Sequence, residues 1–199
     1  MQNKNGTGIK EGIKKIKEDE WLVVIDRQRV FCESDWSTWA CADHTYDSTT
    51  EAFEKLAKAY GSRVIYTRYV APLKPENAWV DYFKDWPQFL VKPNDPMYDF
   101  TPETAELAEG HTVVTCETFG KWGAELKAAL GECRKITICG VATDCCVLTT
   151  ALAAADNGVA VRIAEDACAG STPENHKLAL KTMELFTPLI TVCSTSEIL

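Results

Sequence analysis

What this chain of 199 residues lacks narrows its reading first. No apolar run approaches the roughly 20 residues needed to cross a bilayer, and no hydrophobic leader opens the chain, so a soluble, cytoplasmic protein without membrane contact is expected. The nine cysteines include no CxxC, and only Cys145 and Cys146 lie close together. That spacing fits free thiols in a reducing compartment better than a zinc ribbon or a disulfide framework. Neither GxGxxG nor a P-loop follows any apolar run, which removes the usual dinucleotide and nucleotide signatures. The three histidines, His44, His111 and His176, are scattered without HxH or HExxH spacing, so no metal site and no cofactor are expected. Excess basic charge is also missing: the net charge is -8 and the pI about 5.0, against a nucleic-acid footprint. The basic cluster from Lys10 to Lys17 is interleaved with acidic residues and reads as a solvated helix face. No low-complexity linker divides the chain, so one domain over 1–199 is expected.

What is present is an alternation of short apolar runs with helical stretches. Trp21 to Ile25, Arg63 to Thr67, Thr112 to Thr115, Ile136 to Cys139, Val159 to Ala164 and Leu189 to Val192 read as six strands. Helical stretches at Ser48 to Tyr60, Trp122 to Leu130, Cys145 to Asn157 and Pro173 to Phe186 lie between most of them. Ile9, Ile13 and Ile16 predict a leading helix to about Glu20. Strands that are apolar throughout, rather than alternating, are buried on both faces. The expected fold class is therefore α/β, a three-layer doubly wound fold with a six-stranded mainly parallel sheet of order 3-2-1-4-5-6. In that order the carboxyl ends of strands one and four flank the crevice where such sheets bind ligands. Asp26 follows the first strand and Cys146 the fourth, so the two are expected to meet there. Residues 69–100, with five prolines and eight aromatics, predict an ordered flap with its own small core and a short helix at Ala78 to Lys84.

The segment Ile136 to Ala151 carries the chemistry. Its apolar run stops at Gly140, whose missing side chain permits a sharp turn, and a cysteine pair then opens an Ala-rich helix. Thr143 or Asp144 is expected to cap that helix. A thiolate at the helix start gains from the partial positive charge of its free N–H groups, and those same groups can bind an oxyanion during acyl transfer. This is the logic of a nucleophile elbow with sulfur in place of oxygen.

From Trp21 onward the residues resemble the isochorismatase-like cysteine hydrolases, a family that includes nicotinamidases and N-carbamoylsarcosine amidohydrolases. Val24-Ile-Asp-Arg-Gln-Arg-Val-Phe31 is similar to the family's D-x-Q-x-x-F segment, and Gly140-Val-Ala-Thr-Asp-Cys-Cys-Val147 to its G-V-x-T-D-x-C-V segment. The resemblance implies Cys146 as nucleophile, Asp26 as base, and an oxyanion hole from the backbone N–H groups of Ala142 and Cys146. It also implies a cis peptide between Val141 and Ala142 and a homodimer or homotetramer. The reaction implied is hydrolysis of a small amide, carbamoyl or related C–N substrate through a thioester. Phe31, Arg68, Cys116 and Trp122 are the expected substrate contacts. Nicotinamidase-type metal binding is not implied, because the loop after strand two holds no histidine.

One position departs from the family. Its lysine belongs in the segment Thr115 to Trp122, where aligning Phe119 and Trp122 with the family's aromatics leaves Cys116 at the lysine's place. Three readings follow: Lys121 reaches into the site from the same loop, Arg29 or Arg68 supplies the cation, or the protein is a silent member that only binds a ligand or partner. A vinyl-ether-cleaving enzyme of the isochorismatase type, and a Cys116–Cys146 redox pair, are the remaining alternatives.

Overall fold

The computed structural model describes residues 16–33 and 45–199. Its six strands, β1 (Glu20–Ile25), β2 (Val64–Tyr69), β3 (Thr112–Cys116), β4 (Lys135–Val141), β5 (Ala160–Ala169) and β6 (Ile190–Cys193), pair in parallel in the order β3-β2-β1-β4-β5-β6. The helices in chain order are α1 (Arg29–Cys32), α2 (Thr50–Tyr60), α3 (Ala78–Asp85), α4 (Pro102–Ala108), α5 (Ala124–Leu130), α6 (Leu148–Asp156), α7 (Pro173–Glu184) and α8 (Thr195–Ile198). β5 is packed by α2 and α8 as well as by α6 and α7, so the sheet is covered on both faces. Double coverage is why β1 and β4 are apolar almost without alternation: Leu22, Val23, Val24, Ile25, Ile136, Ile138 and Cys139 all lie in the core. No helix of the described residues is long and apolar enough to cross a membrane.

Several boundaries differ from the sequence reading for physical reasons. Ile9 and Ile13 of the expected leading helix lie outside the described residues. Residues 16–19 are not helical and lead directly into β1. β1 begins one residue early, at Glu20, because that carboxylate is buried between partners: it accepts from Tyr60 Oη (3.0 Å), Thr137 Oγ1 (2.8 Å) and Arg162 Nε (2.7 Å). β5 runs five residues past its expected end, with a register irregularity opposite Ile138 and Gly140. Asp166 therefore lies within the strand, where its Oδ1 holds the start of α8 through Thr195 N (2.7 Å) and Thr195 Oγ1 (2.8 Å). The helix expected from Cys145 opens instead as a π-type turn over Thr143–Val147 and becomes α6 at Leu148.

The flap is tied down at its base by Gln28. Its side-chain amide donates to Tyr69 O (2.9 Å) and Tyr98 O (2.6 Å) and accepts from Tyr69 N (2.7 Å), while Gln28 also bridges to Phe100. Above that clamp Phe83, Phe89, Met97 and Tyr98 form a second buried cluster with Phe31, Tyr69, Val141 and Ala142. The flap therefore has the small core expected of it, and α4 follows it with proline in the first turn, a helix the sequence reading did not mark.

Gly140, at the end of β4, has φ of 114°, and a Cβ built there would lie 2.1 Å from Ile25 O. Only glycine lets β4 approach β1 beside Asp26. Gly140→Ala is expected to cost about 3 kcal/mol or more in urea unfolding, because the added methyl meets rigid backbone.

Candidate active site

Four chain segments converge at the carboxyl ends of β1, β2 and β4. Asp26 ends β1 in a left-handed conformation (φ 44°) and is fully buried. Its Oδ1 accepts from Thr67 Oγ1 of β2 at 2.7 Å. Its Oδ2 forms an ion pair with Lys121 Nζ at 2.8 Å, and both side chains are 0% exposed. The Lys121 ammonium also donates to Thr118 O (2.7 Å) and lies 5.4 Å from the centre of the Tyr69 ring. Among the described residues, no N–H or O–H group beyond that ion pair donates to Oδ2.

The loop carrying Lys121 is fastened to the cysteine turn. Lys121 N donates to Thr150 Oγ1 (2.9 Å), which in turn donates to Cys146 O (2.6 Å). Thr143 and Asp144 do not cap the helix. Thr143 Oγ1 pairs with His176 Nδ1 (2.8 Å), and Asp144 accepts from Ser171 N (2.8 Å) and Ser171 Oγ (2.5 Å), so both fix the turn from α7's side. The Val141–Ala142 peptide is cis, and Ala142 O accepts from Cys145 N (3.0 Å) and Val147 N (3.1 Å).

Cys146 is 4% exposed. Burial pushes its thiol well above the ordinary range; the Lys121 ammonium pulls it down, and the charge and hydrogen bonding of Asp26 push it up again. The net direction is upward, opposite to the lowering expected from a helix start. Burial alone would lower Lys121, but the Asp26 charge and hydrogen bond, with Cys146 and Cys116 nearby, raise it above its ordinary value, so the lysine is a cation. Cys116 is half-buried, and its thiol is raised by burial against the pull of Lys121. It therefore sits beside the ion pair, with the ammonium coming from Lys121 five residues later.

The remaining expected contacts divide. Phe31 packs against Tyr69 (5.8 Å between ring centres) and Phe89 (6.2 Å), within the cluster that contains Ala142. Arg68 does not join the site: Thr67 and Tyr69 face the ion pair, so strand alternation turns Arg68 to the opposite side of the sheet. Arg29 pairs with Glu33 (3.9 Å) one turn along α1. Trp122 is also turned away, under Lys127 Nζ at 5.6 Å and lining a cavity with Cys133 and Val159 at the other end of the sheet. The aromatic at the site is Phe119, which meets the flap's Trp79 (5.5 Å) and Tyr82 (5.7 Å). Burial raises the Tyr82 phenol to about 12, Cys145 and Cys146 push it the same way, and Tyr82 and Cys145 pack against the same buried cluster. Thr67, Tyr69, Phe119 and Thr150 were missed. A hydroxyl at a strand's carboxyl end, two residues before a tyrosine of like facing, was the available signal for the first two.

Of the histidines, His111 packs edge-on to Tyr66, His176 is held by Thr143, and His44 lies outside the described residues. Among the described residues, no group of three or more His, Cys, Asp or Glu is arranged to hold a metal ion.

Comparison with known proteins agrees with this architecture. The model of the isochorismatase domain matches residues 20–196, and the chain belongs to that family. Similar solved structures include an isochorismatase-like hydrolase from Alkaliphilus metalliredigens (TM-score 0.71, 19% identity, covering 94% of this chain and 97% of that one). Others are a cysteine hydrolase from Pseudomonas syringae pv. phaseolicola (0.75, 20%, 90% of each) and a nicotinamidase/pyrazinamidase from Bacillus subtilis (0.68, 18%, 88% and 99%). At such identities the likeness is one of fold. The rat isochorismatase domain-containing protein 2 is 36% identical over 55 residues, a match spanning 28% of this chain and only about a quarter of that protein's length (26%).

The raised Lys121 makes the buried pair a stabilising element that is fully present below the lysine's unfolded pKa of about 10.4 and lost as pH rises through its higher folded value. Thermal melts are expected to show this alkaline loss in the parent and to lack it in Lys121→Met, which would be less stable at neutral pH by about 3–5 kcal/mol. An identical alkaline limb in the two proteins would separate Lys121 from that role.

Proposed function

We propose that the protein is a cysteine hydrolase acting on a small amide, carbamoyl or related C–N substrate. The observation that carries this reading is the buried Asp26–Lys121 pair placed against the Cys146 thiol. Asp26 takes the Cys146 proton as sulfur attacks the carbonyl, the N–H groups of Ala142 and Cys146 hold the developing oxyanion, and the amine or ammonia leaves with a proton returned by Asp26. Water then releases the acyl group from the thioester. Lys121 keeps the charge of the site balanced while the thiolate and the oxyanion form. A thiol held neutral until substrate arrives suits this order, because ionisation is coupled to charge developing on the carbonyl. The Lys121 ammonium 2.8 Å from Asp26 supports the hydrolase reading over a silent member, for which a missing cation was the argument.

Ammonia release is to be measured across a panel of small carboxamides, ureas and N-carbamoyl compounds. Cys146→Ala, Asp26→Asn and Lys121→Met are each expected to lower kcat/KM by about 10³-fold or more, and a slow substrate should leave an acyl adduct on Cys146 in intact-protein mass spectra. Full turnover in Cys146→Ser would overturn the thioester route and support vinyl-ether cleavage instead.

In direct iodoacetamide labelling at neutral pH without substrate, Cys146 is expected to react slowly. Labelling should rise only above the free-thiol range of about 8.5. Rapid labelling near pH 6 would contradict a protonated resting thiol.

A further inference from the structure

Besides Lys121, a second cation is fully buried: Arg27, the residue directly after Asp26, at 0% exposure. Its side chain runs to α2 and α4. The guanidinium lies over two rings, 4.3 Å from the centre of Tyr46 and 4.2 Å from that of Phe53. All three of its nitrogens donate to hydroxyls: Nη1 to Thr49 Oγ1 (2.9 Å), Nη2 to Thr50 Oγ1 (3.2 Å) and Nε to Thr104 Oγ1 (3.4 Å). The Glu103 carboxylate stands 3.8 Å from Nη2 and is itself held by the hydroxyls of Tyr46 and Thr101.

The backbone at this point needs holding. Asp26 has φ of 44°, a region that residues other than glycine seldom occupy. Gln28 N donates to Asp26 O at 2.7 Å, which closes a three-residue turn with Arg27 at its centre, and Arg27 O accepts from Thr101 N (3.1 Å). The Asp26 carboxylate, the Arg27 anchor and the flap clamp of Gln28 are thus consecutive on one tight turn, and a rotation at its middle residue turns both neighbours. Stability alone does not call for arginine here, because well-packed apolar side chains often replace buried ions without loss. What arginine adds is direction. A planar fork bonded through all three nitrogens and stacked on two rings holds one orientation.

We infer that Arg27 is a positioning residue: by fixing the turn from the side of α2 and α4, it aims the Asp26 carboxylate at Lys121 and Cys146. Its effect on turnover rests on the reading of Asp26 as the base, whereas its effect on the Asp26–Lys121 pair does not.

Arg27→Lys keeps the charge and loses the fork, and Thr49→Val removes one partner while leaving Arg27 in place. Both are to be followed in thermal melts at alkaline pH and in steady-state assays on the best substrate of the panel. Arg162→Lys, which loosens the Glu20 network at the amino-terminal end of the sheet, is the matched control. In Arg27→Lys the alkaline loss of stability assigned to Lys121 is expected to shrink, and kcat to fall about tenfold or more with KM changed less than about threefold. Thr49→Val should move both in the same direction by less, and Arg162→Lys should lower Tm and move neither. An unchanged alkaline loss, an intact kcat where Asp26→Asn abolishes turnover, or equal effects in Arg162→Lys would each overturn the inference. Turnover that survives Asp26→Asn would instead sink the hydrolase reading, and the alkaline loss alone would then decide the role of Arg27.

Discussion

Two opposite charges held wholly out of water, Asp26 and Lys121, are the constraint around which this structure is arranged. Each ion alone would cost several kcal/mol to bury, and their attraction repays that only where the other polar positions are filled. Thr67 fills one on the carboxylate, Thr118 O takes one ammonium proton, and Tyr69 offers its ring face to the rest. These groups come from β1, β2 and the loop after β3. A sheet order placing β2 beside both β1 and β3 is what lets them meet. The clamp of Gln28 on Tyr69 then ties the flap to the same point, two residues after Asp26.

Within that field burial outweighs the pull of the lysine and raises the Cys146 thiol. The two fixed charges beside it are held by Thr67, Thr118 and Tyr69, so they stay in place whatever the state of the thiol. The relay from Lys121 N–H through Thr150 to the Cys146 carbonyl keeps the two halves in register.

The sheet was legible in the sequence because buried parallel strands are apolar runs, and Asp26 and Cys146 followed from where two of those runs end. Polar residues blurred the edges. Glu20 belongs to β1 only because Arg162, Tyr60 and Thr137 satisfy it from β5, α2 and β4, partners 142, 40 and 117 positions away. The π-type turn at Thr143–Val147 has no propensity signal, and the two candidate caps, the Thr143 hydroxyl and the Asp144 carboxylate, pair instead with His176 of α7 and with Ser171. Motif alignment put Cys116 where a lysine was sought, because it compares positions in the chain. A lysine stem reaches several ångströms, and Lys121 brings its charge to Asp26 from a different backbone position. The same loop sends Trp122 the other way. Arg68 was misplaced for a simpler reason: residues two apart on a strand share a face, and its neighbours Thr67 and Tyr69 had already taken the side of the site.

Asp26 and Lys121 are at 0% exposure and Cys146 at 4%, so the ion pair and the residue beside it present almost no surface to solvent. Trp79 and Tyr82 of α3 meet Phe119, while the flap's far base is fixed by Gln28. An ion pair sealed this far from water is hardly reached by dissolved salt, so its attraction persists at ionic strengths that would screen a pair of charges on the surface.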